Sequence, residues 1–275
     1  MARHDPRNIA RYWNDQAVPG LSLMCAAFTT HEFAPHVHDG FVVAATEAGG
    51  AEIKSRGVVG RAQTTSLLVF NPGEPHSGWM GRSTEWRYRA FYVPRTTIDD
   101  LTRSFGVERP GYFLDNEVND AQLIGHFLKL HRELEAGADR FRSRELFLDA
   151  FATLFARHGN GSPPPPAAPK DRTLLAAVDG IMQSRYSEHL LLDELARDVS
   201  LTSFQLIGLF KRTVSLTPHA YLTQIRLTRA CDHLKKGDAI AHAAAVCGFY
   251  DQAAFTHHFK RCYGITPLQF ARAVA

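Results

Sequence analysis

Phe210–Pro218 reads FKRTVSLTP, and 49 residues later Phe259–Pro267 reads FKRCYGITP. Phe, Lys, Arg, Thr and Pro occupy identical offsets in both copies, and the aromatics Tyr221 and Phe270 follow at equal distance. Recurrence at a fixed period marks a duplicated supersecondary unit. Each unit is about the size of a helix-turn-helix. Two of them in one chain predict a protein that grips duplex DNA at two places.

The flanking residues agree with that outline. DELARDV, Asp193–Val199, predicts a short helix with acids in its first turn, where the dipole favours them. Ser200 and Leu201 make the turn, and Thr202 caps a second helix running to Arg212. Leu195, Ala196, Leu206, Leu209 and Phe210 have the spacing of a buried seam. The outward face then carries Ser203, Phe204, Ile207 and Gly208, with Lys211 and Arg212 near the helix end as phosphate ligands. Thr217 and Pro218 start a longer helix ending near Gly237.

The second unit repeats the design. Asp238 is expected to cap AIAHAAAVC, and Gly248 to supply the positive φ that follows. Gln252–Cys262 is the matching reading helix. It turns Gln252, Ala253, Thr256 and His257 outward, Phe255 and Phe259 inward, and carries Lys260 and Arg261 near its end. A connecting helix of about 19 residues is ~28 Å long. Successive major-groove faces lie ~34 Å apart, so such a rod holds two reading helices in adjacent grooves.

Charge is divided in the same sense. From Lys170 onward there are 13 Lys and Arg against 9 Asp and Glu, a balance of +4; the preceding part has 18 against 19, or −1. Phosphate binding belongs with the basic end. No apolar run is long enough to span a membrane, and the N-terminus lacks the apolar core of a secretory signal. Cys25, Cys231, Cys247 and Cys262 form no CxxC pattern. Their spacing suits a reducing cytoplasm, so a cytoplasmic location is expected.

The clearest domain boundary is GNGSPPPPAAPK, a proline-stiffened spacer at 159–170. It separates a front domain, 1–158, from an α-helical tail, 171–275. In the front domain LSLMCAAFTT, FVVAATEAGG, SLLVFNP and EWRYRAFYV are strand-like runs bounded by turn residues. They predict a small barrel or double sheet, and hence an α+β chain. Two helices follow. Asn119 or Asp120 caps the first, which ends at Gly137; Asp139 caps the second. Their apolar stripes pack on the sheet or against a second subunit.

The segment from about Thr173 to Ala273 resembles the DNA-binding domain of AraC/XylS-type transcription regulators. The matching residues are DELA (193–196), FKR (210–212), TPHAYL (217–222), IRLTRA (225–230), IAHAA (240–244), CGF (247–249), DQAAFTHHFKR (251–261) and YGITPLQF (263–270). The resemblance implies two helix-turn-helix units in adjacent major grooves and a front domain that senses a ligand or dimerises. The partners it implies are double-stranded DNA, a small-molecule effector, RNA polymerase and a second copy of the chain. The family often has Gly where Ser200 and Ser215 stand, and Glu where His242 stands. It often has polar or Arg base readers where this chain has Phe204, Ile207 and Gly208. The second unit, with Gln252 suited to adenine, is therefore expected to carry more of the hydrogen-bonded readout.

PHVHDGF holds His36 and His38, and NPGEPH ends in His76; the HxH pair and the PG-x-x-H turn resemble a cupin barrel. Alternation puts His36 and His38 on one side of a strand, and the resemblance sets His76 opposite. Three imidazoles suit a divalent metal, but metal-binding cupins add a Glu soon after the second His, and Glu47 comes late. No cofactor is therefore expected, and a metal at these three histidines is the minority reading. His36, His38, His76, Trp86 and Tyr88 are instead the candidate effector pocket. By family habit, an arm before residue 20, with Arg11, Tyr12 and Trp13, folds over its mouth. The reading that results is an effector-responsive transcription regulator, an activator by family habit, and not an enzyme. The alternative is a metal-dependent cupin enzyme carrying a DNA-binding tail.

Overall fold

In the computed structural model, residues 8–16, 18–104, 111–137, 140–159 and 168–274 are described, with backbone alone at 101–104, 140–142, 169 and 204. The chain forms two compact units. Among the described residues the first is built on two sheets with three helices, the second on seven helices.

Ten strands make up the sheets: β1 (Ile9–Asn14), β2 (Ser22–Phe28), β3 (Glu32–His36), β4 (Phe41–Gly49), β5 (Ala51–Ser55), β6 (Val58–Ala62), β7 (Leu67–Phe70), β8 (His76–Trp79), β9 (Trp86–Val93) and β10 (Glu117–Val118). One sheet runs β1-β2-β9-β4-β7-β10 and the other β3-β8-β5-β6. The two predicted alternatives, barrel and double sheet, are thereby separated: the sheets are not closed into a barrel, and each keeps its own edges. The predicted arm is a strand, with Arg11, Tyr12 and Trp13 opposite Cys25, Met24 and Leu23 along the sheet's edge.

The central run FVVAAT is buried at every position, because both faces of the sheet are covered. Its odd-numbered residues, with Leu23, Leu67, Val69, Phe91 and Val93, face two helices, α2 (Ala121–Glu135) and α3 (Arg140–His158), which follow α1 (Arg95–Ser104). Alternation sends Met24, Val42, Ala44, Leu68, Phe70, Trp86, Tyr88 and Ala90 to the opposite face, where they are also buried. Phe91, Phe127 and Phe151 lie at the middle of the helix-side core, with ring centroids 5.0–6.0 Å apart in near-perpendicular pairs. Asp120 caps α2 by accepting from the Leu123 N–H at 3.0 Å, as its sequence position predicts. Asp139, expected to cap α3, and most of the expected spacer lie outside the described residues.

The second unit comprises α4 (Pro169–Arg185), α5 (Leu192–Asp198), α6 (Ser203–Thr213), α7 (Pro218–Lys235), α8 (Ile240–Val246), α9 (Gln252–Tyr263) and α10 (Pro267–Val274). Helix α4 begins within the span assigned to the spacer. Pro169 occupies its first turn, where a missing N–H costs nothing. The turn serines are strained, with φ of 56° at both Ser200 and Ser215. A side chain at such φ costs roughly 1–2 kcal/mol, part of which glycine returns as unfolded-state entropy. Ser200→Gly and Ser215→Gly are each expected to stabilise the second unit by about 0.5–1 kcal/mol, read as a raised denaturant midpoint.

Candidate nucleic-acid interface

Helix α6 is anchored from both ends of its first turn. Thr202 Oγ1 accepts from the Gln205 N–H at 3.2 Å, and Gln205 Oε1 accepts from the Thr202 N–H at 2.9 Å, a complete capping box. Leu206, Leu209 and Phe210 are fully buried against Val178, Met182, Leu195 and Ala196. Ile207 and Gly208 are half-buried and Lys211 is exposed. Ser203 Oγ donates to the Asp193 carboxylate of α5. The Phe204 side chain lies outside the described residues.

Helix α9 repeats this arrangement. Asp251 caps it by accepting from the Ala254 N–H at 2.6 Å. Phe255 and Phe259 are fully buried, while Gln252, Ala253, His257 and Arg261 are exposed and Thr256 and Lys260 half-buried. The aromatics that follow each repeat copy have equivalent roles. Phe210 packs on Tyr221 with centroids 5.3 Å apart, and Phe259 on Phe270 at 5.5 Å. The recurring offsets therefore preserve a core contact as well as the basic pair.

The rod between the units is one unbroken helix, α7, of 18 residues, about 27 Å long. Thr217 caps it by accepting from the Ala220 N–H at 3.1 Å. From α7 the Arg226 guanidinium donates to the Tyr186 and Glu188 carbonyls at 2.7 and 2.8 Å, tying the segment after α4 to the rod. Gly248 answers two demands: its φ is 77°, and a Cβ there would stand 2.7 Å from the Ser187 carbonyl oxygen.

Two features of this surface escaped sequence reasoning. Tyr250, beside the α9 cap, is 97% exposed. Nothing apolar stays that open for core reasons, so its place between CGF and Asp251 was the available signal. Arg212, expected to meet phosphate, is instead held by Asp171 of α4, Nε to Oδ2 at 2.6 Å and an Nη to Oδ1 at 2.9 Å. A bidentate fork of this kind competes directly with a phosphate oxygen. Asp171→Ala is expected to tighten binding to nonspecific duplex and to steepen the slope of log affinity against log salt by about one. Unchanged affinity and slope would show that Arg212 takes no part in binding.

His36, His38 and His76 come together, with one nitrogen from each ring lying within 4.8 Å of the others. Nδ1 of His36 lies 2.7 Å from the Ala34 carbonyl, and Nδ1 of His76 lies 2.9 Å from that of Glu74. Donation to those carbonyls puts the proton on Nδ1 and the lone pair on Nε2. His76 stacks on Phe70 at 3.9 Å, and burial pushes its pKa below the ordinary histidine value. Trp86 and Tyr88 are buried and stacked on each other at 4.2 Å, and the Trp86 indole N–H donates to Thr46 Oγ1 at 3.1 Å.

The family model for the AraC-like ligand binding domain matches residues 18–151, and that for a helix-turn-helix domain matches 195–273. The chain belongs to the AraC/XylS family of transcription regulators. It is 25% identical over 223 residues to the HTH-type transcriptional regulator YbfI of Bacillus subtilis, covering 81% of each chain. It is 32% identical over 130 residues to the transcriptional activator RhaS of Pectobacterium atrosepticum, covering 46% of this chain and 44% of that one. The fold is that of ToxT from Vibrio cholerae: the TM-score is 0.54 at 11% identity, over 98% of this chain and 99% of that one. Among the described residues no helix is long and apolar enough to cross a membrane.

Proposed function

We propose that this chain is an effector-responsive regulator of transcription that reads two adjacent major grooves with α6 and α9, works in the cytoplasm and catalyses no reaction itself. The observation that carries the reading is the pair of capped helices joined by one continuous rod, each with its aromatic side buried and its other side turned out. Phosphates are met by Lys211, Lys260 and Arg261, and by Arg212 once Asp171 releases it. Base edges are met by Gln252, Thr256 and His257 on α9 and by the Ser203–Ile207 face of α6, with Ala253 giving apolar contact. The α6 face carries less hydrogen-bonding capacity, because Ser203 is already engaged by Asp193. A small-molecule effector is held by the sheet-bearing domain, beside His36, His38, His76, Trp86 and Tyr88. Its binding shifts the population that engages DNA, and RNA polymerase and a second copy of the chain are the protein partners.

Selection from a random duplex library tests the base-reading assignment. Gln252→Ala is expected to relax discrimination at one position of the selected site by about 1–3 kcal/mol. Full retention of discrimination would remove Gln252 as a reader. An effector screened against the full chain is expected to raise its melting temperature in proportion to log concentration above Kd.

A further inference from the structure

Where α7 ends and α8 begins, three metal-ligating side chains converge. The sequence assigns Asp238 to cap α8, but the capping position is taken by Ala239, which makes no side-chain cap. Asp238 turns instead to the last turn of α7, its Oδ2 lying 2.6 Å from His233 Nδ1. Its own backbone N–H donates to the His233 carbonyl at 3.1 Å, and Gly237, at φ 84°, fixes the reversal between them. His242, in the first turn of α8, completes the group. Its ring stands nearly perpendicular to that of His233, with centroids 6.1 Å apart. One ligating atom from each of the three lies within 4.8 Å of the others.

We infer that His233, Asp238 and His242 form a binding site for a divalent transition-metal ion of the zinc class, which clamps the end of the rod to the first helix of the second reading unit. Two imidazoles and one carboxylate are a borderline-soft donor set, suited to zinc rather than to magnesium or calcium. At Zn–N and Zn–O distances of about 2.0–2.2 Å, ligand atoms in a tetrahedral site stand about 3.3 Å apart. The His233–Asp238 pair, 2.6 Å apart, has to open by less than about 1 Å, and the His242 ring to swing inward by at most about 1.5 Å from its 4.8 Å limit. Both movements are side-chain rotations of partly exposed groups. The fourth position is left to water. His242 is the residue that departs from the family's usual Glu, so the second imidazole belongs to this chain's own sequence.

The test uses the metal-free full-length chain titrated with Co2+, whose visible absorption reports tetrahedral coordination, followed by displacement with Zn2+. The wild type is expected to show the band, and His242→Ala and His233→Ala are each expected to weaken binding about 10-fold or more. His76→Ala, which alters the separate histidine group, is expected to keep the band. Zinc is expected to raise the melting temperature of the wild type and not that of His242→Ala. No band in the wild type, or a band and a thermal shift unchanged in His242→Ala, overturns the assignment. His242 is exposed, so its replacement leaves the fold intact and the comparison stands.

Discussion

Glu74→Ala is expected to destabilise the first unit by about 3–5 kcal/mol. Glu74 sits in the NPGEPH turn and is 4% exposed. Its carboxylate accepts from Ser55 Oγ at 2.7 Å, Arg56 Nε at 2.8 Å, Asn116 Nδ2 at 2.7 Å, and the Asn71 amide and backbone N–H at 2.6 and 3.1 Å. Burial pushes the carboxyl pKa up, but these donors, led by the Arg56 guanidinium, outweigh it and hold the pKa below the ordinary glutamate value. The same network fixes neighbouring chain. Asn71 exchanges hydrogen bonds with the Phe113 N–H and carbonyl at 2.9 and 3.0 Å, and Arg56 reaches the Phe113 carbonyl at 3.0 Å. Removing the carboxylate takes away the charged acceptor shared by Ser55, Arg56, Asn71 and Asn116, and leaves them the Pro75, Phe113 and Val69 carbonyls, a costly way to break a buried network. Glu74→Gln, which keeps the shape and one acceptor, is expected to lose less. Denaturant unfolding of the full chain measures both, and a loss under about 1 kcal/mol for the alanine variant would place the pair among solvent-screened surface bridges.

Stability is also expected to fall by about 3 kcal/mol between pH 6.5 and 4, through His131. This residue of α2 is fully buried against the sheet, edge-on to Phe91 and Trp13. Its Nε2–H donates to the Met24 carbonyl at 3.1 Å, while Nδ1 accepts from Arg89 at 3.0 Å. Burial first, and the Arg89 charge second, push its pKa down to about 4. Above an unfolded-state value of ~6.5 both states are neutral and the full contribution is present. As pH falls toward 4, the unfolded chain takes up a proton that the folded chain refuses, and the contribution is lost. Arg89 is meanwhile fixed by Glu47 at 2.9 Å and by Glu135 at 2.5 Å, so it does not withdraw to let the imidazole charge. Urea midpoints at pH 7.5, 6 and 5 are expected to decline for the wild type and to decline less for His131→Gln. Parallel profiles would assign the pH dependence to other groups.

The tail was legible because its signals are local. Thr202 and Thr217 cap the helices they were read to start, and the repeat offsets encode the Phe210–Tyr221 and Phe259–Phe270 contacts. Asp238 shows the limit of that logic: a capping residue was in place, but a histidine five residues back competed for its carboxylate. The same holds for Arg212, whose acceptor lies 41 residues away on α4. In the first unit the long buried strands β2, β4 and β9 were readable from apolar runs and alternation. Strands β5, β6 and β8 are short and partly exposed, and β1 exists because β2 offers it an edge. Pairing of that kind depends on a distant partner, which a local pattern does not carry. Whether two sheets close on each other is likewise a matter of tertiary geometry, and the turn motifs PHVHDGF and NPGEPH fit an open pair as well as a barrel.

The proposed function requires one rigid helix, α7, to set two reading helices into successive major grooves. Hydroxyl-radical footprinting of the full-length chain on a selected duplex tests it most directly. Two protected windows centred about 10 bp apart on the same face of the DNA are expected, with Gln252→Ala weakening one window only. A single window, or two windows on opposite faces, would contradict it.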